Sequence, residues 1–162
     1  MYLLSCLEDK SAFSLFSGCS KPASSLGLYA AQARSEGRSL NTEEWAIDQQ
    51  LDHELLTLSD VRANPEALIH LSPLAYVYYL PVYLHAYNCF AWNPEENLRP
   101  FYALAETLEG KHGPARDKVR EATTSEQRGL LVEFLKQSTS LRPFTTVAAI
   151  DKRLDAIRFW MD

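Results

Sequence analysis

Residues 71–88 read LSPLAYVYYLPVYLHAYN, and this segment determines the architecture that we expect for the whole chain. Its tyrosines recur at the helical spacings of three and four residues, and valine and leucine fill the positions between them. A helix that is apolar on nearly every side is buried in a protein core. Pro81 has no amide hydrogen to donate to the carbonyl of Val77, so we predict a kink in this helix at Pro81.

Helix-start signals surround this central segment on both sides. Capping boxes are predicted at residues 41–44 and 124–127, and the pairs Asn64-Pro65 and Ser72-Pro73 each place a capping residue before a proline. The last helix is predicted to carry its core-facing stripe at Val147, Ile150, Leu154, Ile157 and Trp160. No segment shows the alternation of a β-strand. The prediction is an all-α fold, a compact single domain over residues 1–162 with about seven helices around the Pro-kinked helix.

The composition and the charge of the chain limit the classes of function. Apolar residues make up 46% and charged residues 23% of the 162 residues, as in folded globular proteins. The formal net charge of -5 argues against a nucleic-acid-binding protein, which needs clustered positive charge. Basic residues between Lys111 and Arg120 are mixed with acidic ones, so we interpret that segment as a solvated loop. An acidic chain of this size suits a cytosolic enzyme or a protein that binds a basic partner.

The cysteines and the apolar segments indicate a compartment. Cys6, Cys19 and Cys89 form no C-x-x-C pair, and three scattered cysteines favour a reducing compartment in which they stay thiols. The first ten residues lack the pattern of a signal peptide. The longest apolar run, residues 74–84, is shorter than the roughly 20 residues that a membrane-spanning helix needs. We therefore expect a cytoplasmic protein without a membrane partner.

The most one-sided charge in the sequence lies just before the central helix. Between residues 41 and 66 the only lysine or arginine is Arg62, and six acidic residues are predicted to share the solvent face of one helix over residues 43–60. Tyrosine is a preferred interface residue, so one edge of the central helix is predicted to join this surface. The predicted partner-binding residues are Glu43, Glu44, Asp48, Asp52, Glu54, Asp60, Tyr79 and Tyr83.

Two groups of residues have the types that metal binding or catalysis requires. His85 and Cys89 lie four apart on one helix face, but a zinc site needs further ligands, so we interpret them as packing residues. The second group comprises Asp48, Asp52, His53 and Glu54. These residue types suggest a carboxylate–histidine pair or a cation site, and we interpret them as a solvated acidic face. Neither a nucleophile elbow nor a phosphate-binding loop is present. The sequence therefore predicts no catalytic residue, no metal and no cofactor.

Several motifs carry a resemblance to a known family. They are Tyr78-Tyr-Leu-Pro-Val-Tyr-Leu84, Ser125-Glu-Gln with Glu133-Phe-Leu135, Phe159-Trp160, and the earlier aromatic positions at Ala12-Phe13 and Trp45. The chain resembles a family of small bacterial helical domains of unknown function, whose central helix carries an aromatic-Tyr-Leu-Pro-Ala-Tyr-Leu core. Here Val82 replaces the usual alanine, and the segment from Gly110 to Glu121 is longer than usual. The resemblance implies the fold and a bacterial source, and it implies no activity.

Three hypotheses about function follow. The first is an immunity protein or inhibitor that neutralises a bacterial toxin or effector through the acidic helical surface, which would speed encounter with a basic partner. The second is a small-ligand-binding protein or an enzyme with a pocket at the Pro81 kink, lined by the carbonyl of Val77 and by Tyr78, Tyr79 and His85. The third is a homo-oligomeric structural or adaptor protein that assembles through an aromatic patch. The sequence leaves the oligomeric state open.

Overall fold

A computed structural model describes residues 11–90, 93, 96–140 and 147–162. These residues contain nine α-helices and four short 3-10 helices, and no β-strand occurs among them. The α-helices are α1 Ser11–Leu15, α2 Leu28–Ser35, α3 Thr42–Gln50, α4 Leu58–Ala63, α5 Pro73–Phe90, α6 Arg99–Leu108, α7 Arg116–Glu121, α8 Ser125–Gln137 and α9 Val147–Met161. The 3-10 helices are Ser24–Leu26, His53–Leu55, Ala67–His70 and Ser138–Ser140. The all-α prediction is confirmed, and the described residues alone hold more helices than the predicted number.

The central helix of the prediction is α5. It is α-helical from Pro73 to Phe90 with Pro81 inside it, and 13 of its 18 residues are buried. Pro73 occupies the first position, where a missing amide hydrogen costs nothing, and Ser72 Oγ accepts the backbone N–H of Ala75 at 3.4 Å. Helices α1, α4, α6 and α7 pack against α5. The central buried helix is therefore present, while the bend at Pro81 stays a prediction.

Hydroxyl groups of the α5 tyrosines bond to polar groups on neighbouring elements. Tyr76 Oη lies 2.6 Å from Thr107 Oγ1 in α6, and Tyr83 donates to the carbonyl of Asn64 at 2.8 Å, just after α4. A buried hydroxyl without a partner costs stability, so each bond favours one rotation of α5 about its axis. The tyrosine-rich sequence thus fits a core that supplies polar partners.

Helix starts follow the capping chemistry of the sequence at two predicted positions. Asn41 Oδ1 accepts the backbone N–H of Glu44 at 2.8 Å, and the Glu44 carboxylate accepts the Asn41 N–H at 3.0 Å. The box at residues 124–127 has the same reciprocal bonds. Asn64-Pro65, in contrast, leads into a turn and the 3-10 helix Ala67–His70. The two boxes are confirmed, and the α-helix predicted at Asn64-Pro65 is wrong.

The acidic segment before α5 does not form a single helix. Helix α3 ends at Gln50 because Leu51 takes an extended backbone conformation, with φ -92° and ψ 129°. The next α-helix, α4, begins at a further capping box in which Asp60 Oδ2 accepts the backbone N–H of Thr57 at 2.6 Å. This local cap competes with continuation of α3. The prediction of one acidic helix over residues 43–60 is therefore wrong.

The last helix, α9, turns a different face to the core than predicted. Trp160 is buried, as expected, and its Nε1 donates to the carbonyl of Leu108 at 3.0 Å. Ile157 is half-buried against the core, whereas the other three residues of the predicted stripe are exposed, at 73% for Val147, 43% for Ile150 and 44% for Leu154. For these three residues the predicted burial is wrong.

The reason for this rotation of α9 is a buried charge. Arg153 is 5% exposed, and its Nε donates to Glu109 Oε1 at 2.5 Å. Its Nη1 also donates to the carbonyl of Leu135 at 2.8 Å and to Ser138 Oγ at 2.9 Å. Breaking a buried ion pair is strongly destabilising, so this face of α9 stays inward.

The basic segment after α6 is partly helical. Helix α7 lies within the segment that was predicted to be a solvated loop, so that prediction is wrong for Arg116–Glu121. The guanidinium groups of Arg116 and Arg120 lie 4.4 Å and 5.3 Å from the ring centroid of Phe159 in α9. These cation–π contacts hold the basic side chains against the protein.

Candidate functional site

The eight predicted partner-binding residues lie in very different environments. Glu43, Asp52 and Glu54 are exposed, and Asp52 Oδ1 lies 3.6 Å from Lys21 Nζ. Three further residues are buried, namely Asp48, Tyr79 and Tyr83. The remaining two are partly buried, namely Glu44 and Asp60. The structure therefore does not bring the eight side chains together on one surface.

Asp48 is part of the core and is not available to a partner. It is 3% exposed, and its two carboxylate oxygens accept the backbone N–H groups of Tyr29 at 3.0 Å and Ala30 at 2.8 Å. These amides belong to the first turn of α2, which favours a carboxylate. Burial raises the pKa of the Asp48 carboxyl, against the opposite effect of these hydrogen bonds. The prediction of Asp48 as a surface contact is wrong, because it ties α3 to α2.

The carboxylates of Glu44 and Asp60 are also engaged within the chain. Arg38 donates from both terminal nitrogens to the two oxygens of Glu44, each at 2.7 Å, and these bonds hold the pKa of Glu44 below its usual value. Asp60 Oδ1 accepts the hydroxyl of Tyr29 at 2.7 Å. The exposed part of the predicted acidic surface therefore reduces to Glu43, Asp52 and Glu54.

No tyrosine edge of α5 reaches the surface. Tyr79 is 2% exposed and Tyr83 is fully buried. Desolvation raises the pKa of both hydroxyl groups. The predicted exposure of this tyrosine edge is wrong, because neighbouring elements cover both side chains.

An apolar groove lies beside the second half of α5, and we call it the Leu55 groove. Its volume is about 480 Å³, and Leu55, 60% exposed, stands in its wall. The apolar lining residues are Phe13, Leu55, Leu56, Leu58, Val82, Ala86 and Phe90, and the polar ones are Glu54, Thr57, Ser59 and His85. The groove runs between α5 and the segment that joins α3 to α4. It exists because the acidic segment breaks into short elements.

The Leu55 groove is not the pocket that the sequence predicted. Val82 and His85 follow Pro81 and line it, whereas Tyr78 and Tyr79 do not. Tyr78 instead holds the buried His53, whose backbone N–H donates to the Tyr78 hydroxyl at 3.0 Å. His53 Nδ1 lies 2.7 Å from the carbonyl of Tyr78. His53 is therefore a buried structural residue, and its interpretation as part of a solvated acidic face is wrong.

The described residues do not assemble a metal centre. His85 and Cys89 share one face of α5, and Cys89 Sγ lies 3.9 Å from His85 Nε2. Cys89 is disulfide-bonded, so it offers no thiolate to a cation. Throughout the part of the chain that the structure describes, no three His, Cys, Asp or Glu side chains are placed to hold a metal ion.

The cysteines do not follow the expectation of three thiols. Cys19 is free and half-buried, whereas Cys89 is disulfide-bonded; Cys6 lies outside the described residues. Among the described helices, none has the length and the apolar character needed to cross a membrane.

The described residues form an all-helical fold with one apolar groove beside α5 as the candidate site. Comparisons with protein-family models, with curated proteins and with solved structures gave no match. The function of the chain therefore has to be inferred from its own geometry. Sequence reasoning missed the Leu55 groove, and the signal that pointed to it was the capping box at residues 57–60, which breaks the acidic helix.

Proposed function

We propose that this chain is a non-enzymatic binding protein, an immunity protein or inhibitor that neutralises a bacterial toxin or effector by taking one of its segments into the Leu55 groove. The observation that carries the proposal is the groove itself, which combines apolar walls with an exposed leucine and an exposed acidic residue. Protein interfaces concentrate their binding energy in apolar anchors that fill such depressions.

The apolar lining supports an apolar anchor on the partner. A leucine or phenylalanine side chain that moves from water into the groove contributes about 1.5–3 kcal/mol, and the same contact covers Leu55. Polar groups are few in the lining, so little desolvation opposes insertion. The bound segment would occlude the partner's own active site.

The charge around the groove supports a basic partner. Glu54 lines the groove, Asp52 lies two residues before it, and both are exposed. With a net charge of -5, the chain attracts cationic proteins and speeds their encounter. A lysine or arginine next to the apolar anchor would complement this rim.

The family and the compartment belong to the same proposal. We assign the chain to the small bacterial helical domains that it resembles, with the Tyr-Leu-Pro segment of α5 as the shared motif. The sequence predicts that the protein acts in the cytoplasm. The disulfide at Cys89 instead favours an oxidising compartment. The inhibitory role requires the Leu55 groove and neither compartment in particular.

The experiment measures neutralisation of a toxin encoded beside this gene, together with its affinity for the purified chain. Leu55→Glu tests the groove, and Leu26→Glu is the matched control because Leu26 is also exposed but does not line the groove. We expect Leu55→Glu to weaken binding at least tenfold and to abolish protection, as for an anchor residue. We expect Glu54→Lys to slow association, and to do so more at low salt than at high salt.

Two results would contradict this proposal. One is neutralisation that survives Leu55→Glu unchanged, since the groove would then play no part. The other is an equal loss in Leu55→Glu and Leu26→Glu, which would indicate a general effect on the chain. Circular dichroism of each variant separates loss of binding from loss of folding.

A second candidate function rests on the same groove. Its volume of about 480 Å³ lies within the range of small-molecule sites, and a few polar groups stand among apolar ones. A small apolar ligand would shift the methyl resonances of Val82 and Leu55 in a saturable way. If such a ligand saturates the groove and no protein partner binds at Leu55, small-ligand binding is favoured over inhibition of a toxin.

A further inference from the structure

Helix α9 presents an apolar stripe to solvent that has the spacing of a coiled-coil seam. The stripe consists of Val147, Ile150, Leu154, Ile157 and Met161, with alternating intervals of three and four residues. Four of these residues are exposed, and Ile157 is half-buried against the core. Val147 and Met161, at its two ends, are 73% and 66% exposed. A repeat of this kind keeps apolar residues on one side of a helix and is the pattern by which two helices pack along their length.

The stripe cannot turn inward without loss of buried contacts. Arg153 and Trp160 lie on the other face of α9 and bond to Glu109 and to the carbonyl of Leu108. Rotation of α9 would break the buried Arg153–Glu109 pair together with the bonds of Arg153 to the Leu135 carbonyl and to Ser138. The exposed stripe is thus a fixed feature of the folded chain.

We propose that this stripe is the interface of a homodimer in which the α9 helices of two copies pack antiparallel. In the register that sets Leu154 against Ile157 of the partner subunit, Ile150 meets Met161 of the partner subunit. The same register places Asp151 beside Arg158 of the partner subunit, since both occupy the position that flanks the seam. Two-fold symmetry makes this pairing twice.

Charge also selects the antiparallel orientation over the parallel one. In a parallel pair the position that flanks Arg158 belongs to Arg153 of the partner subunit, which is buried against its own Glu109 and offers Arg158 no opposite charge. The antiparallel pair gives Arg158 the exposed carboxylate of Asp151 instead. The distribution of Asp151 and Arg158 therefore complements a second copy of this chain.

Arg158 can turn to such a partner at little cost. Its Nη1 lies 3.1 Å from Asp155 Oδ1, one helical turn away, and both side chains are more than 70% exposed. Exposed ion pairs of this kind contribute little to stability. A single helix pair is smaller than a standard interface, so we expect dimers at high micromolar protein concentration.

The test is sedimentation equilibrium of the full chain over a wide concentration range. The wild type is expected to approach twice the monomer mass, and Leu154→Glu to dissociate at least tenfold more readily. Leu74→Glu is the matched control, because Leu74 is 71% exposed and lies at the start of α5. It should dimerise like the wild type.

A charge exchange tests the register without changing the apolar stripe. Asp151→Arg and Arg158→Asp should each weaken dimerisation several-fold, and the double variant should restore it. A wild type that stays monomeric at about 1 mM would overturn the proposal. So would a double variant as weak as the single ones, which would show that these residues do not meet across a dimer. Binding of another protein to the stripe in preference to a second copy would also overturn it.

Discussion

The carboxyl group of Asp48 fills the space in which a side chain at Gly27 would lie. A Cβ atom on Gly27 would be 2.3 Å from Asp48 Cγ, far inside van der Waals contact. Gly27 is the N-terminal cap of α2, and Asp48 accepts the backbone N–H groups of Tyr29 and Ala30 in its first turn. A side chain from α3 thus does the work of a capping residue for α2, and the glycine makes room for it.

This arrangement predicts non-additive effects on stability. Asp48→Ala should lower the free energy of unfolding by about 1–3 kcal/mol, because two buried amides lose their acceptor. Gly27→Ala should also destabilise, and the double variant should lose less than the sum of the single losses. Urea unfolding followed by circular dichroism gives these values.

Gly129→Ala is the control: nothing lies within 4 Å of its added methyl group, and it should stabilise α8 by about 0.5–1 kcal/mol. Additive losses at residues 27 and 48 would contradict the prediction.

The buried pair of Arg153 and Glu109 should respond strongly to removal of one partner. Arg153→Met removes one of the two cations that contact the buried carboxylate of Glu109, because Lys111 Nζ still lies 3.2 Å from its Oε2. We therefore expect a loss of about 3 kcal/mol, the lower end for a broken buried pair. Replacing both residues by apolar ones should cost less than Arg153→Met alone. Thermal unfolding measures the series, with Lys118→Met as control because the Lys118–Glu121 pair is exposed. A loss at Lys118 as large as that at Arg153 would contradict this account.

The buried tyrosines predict a pH limit on the alkaline side. Burial raises the pKa of Tyr76, Tyr79 and Tyr83, so the folded chain holds these protons more tightly than the unfolded chain. Their contribution to stability is complete below the unfolded pKa of about 10 and is lost as the pH rises above it. Tyrosinate absorbance should therefore rise together with the loss of helical circular dichroism. Ionisation of these tyrosines in a chain that keeps its helices would contradict the prediction.

The cysteines predict a two-step labelling pattern. Burial raises the pKa of the Cys19 thiol, so iodoacetamide should modify it, but more slowly than a thiol in a short peptide. Cys89 should be modified only after reduction, because it is disulfide-bonded. Mass spectrometry of the peptides identifies each site. Modification of Cys89 without reductant would show that the disulfide does not form in the protein as purified.

Local chemistry explains which parts of the fold could be predicted. The capping boxes at residues 41–44 and 124–127 depend on groups three residues apart, so the sequence contains all that determines them. The apolar character of residues 71–88 likewise identifies a buried helix by itself. The rotation of α9 depends instead on Arg153 and Glu109, which are 44 positions apart in the chain. The spacing of apolar residues within α9 cannot predict a contact with a residue so far away in the sequence.

The candidate site was harder to predict for the same reason. Asp48 looks like its acidic neighbours in the sequence, and only the approach of Gly27 and α2 makes it a core residue. Leu55 looks like a core residue, and the break after α3 leaves it exposed in a groove. Exposure of a side chain is decided by what packs against it, which local spacing does not report.

The hydroxyl bonds of Tyr76 and Tyr83 have a consequence for how this core can vary. Each hydroxyl bonds to a different neighbour of α5, so these bonds fix the position of the helix at more than one point along its length. Shifting α5 by one position would detach these hydroxyls together, while its apolar surface would find replacement contacts almost anywhere. Together with the Tyr78 hydroxyl, which accepts the His53 N–H, these two hydroxyls disfavour packings of the core in which α5 is shifted. Phenylalanine at positions 76 and 83 should therefore weaken this selection in a chain that still collapses.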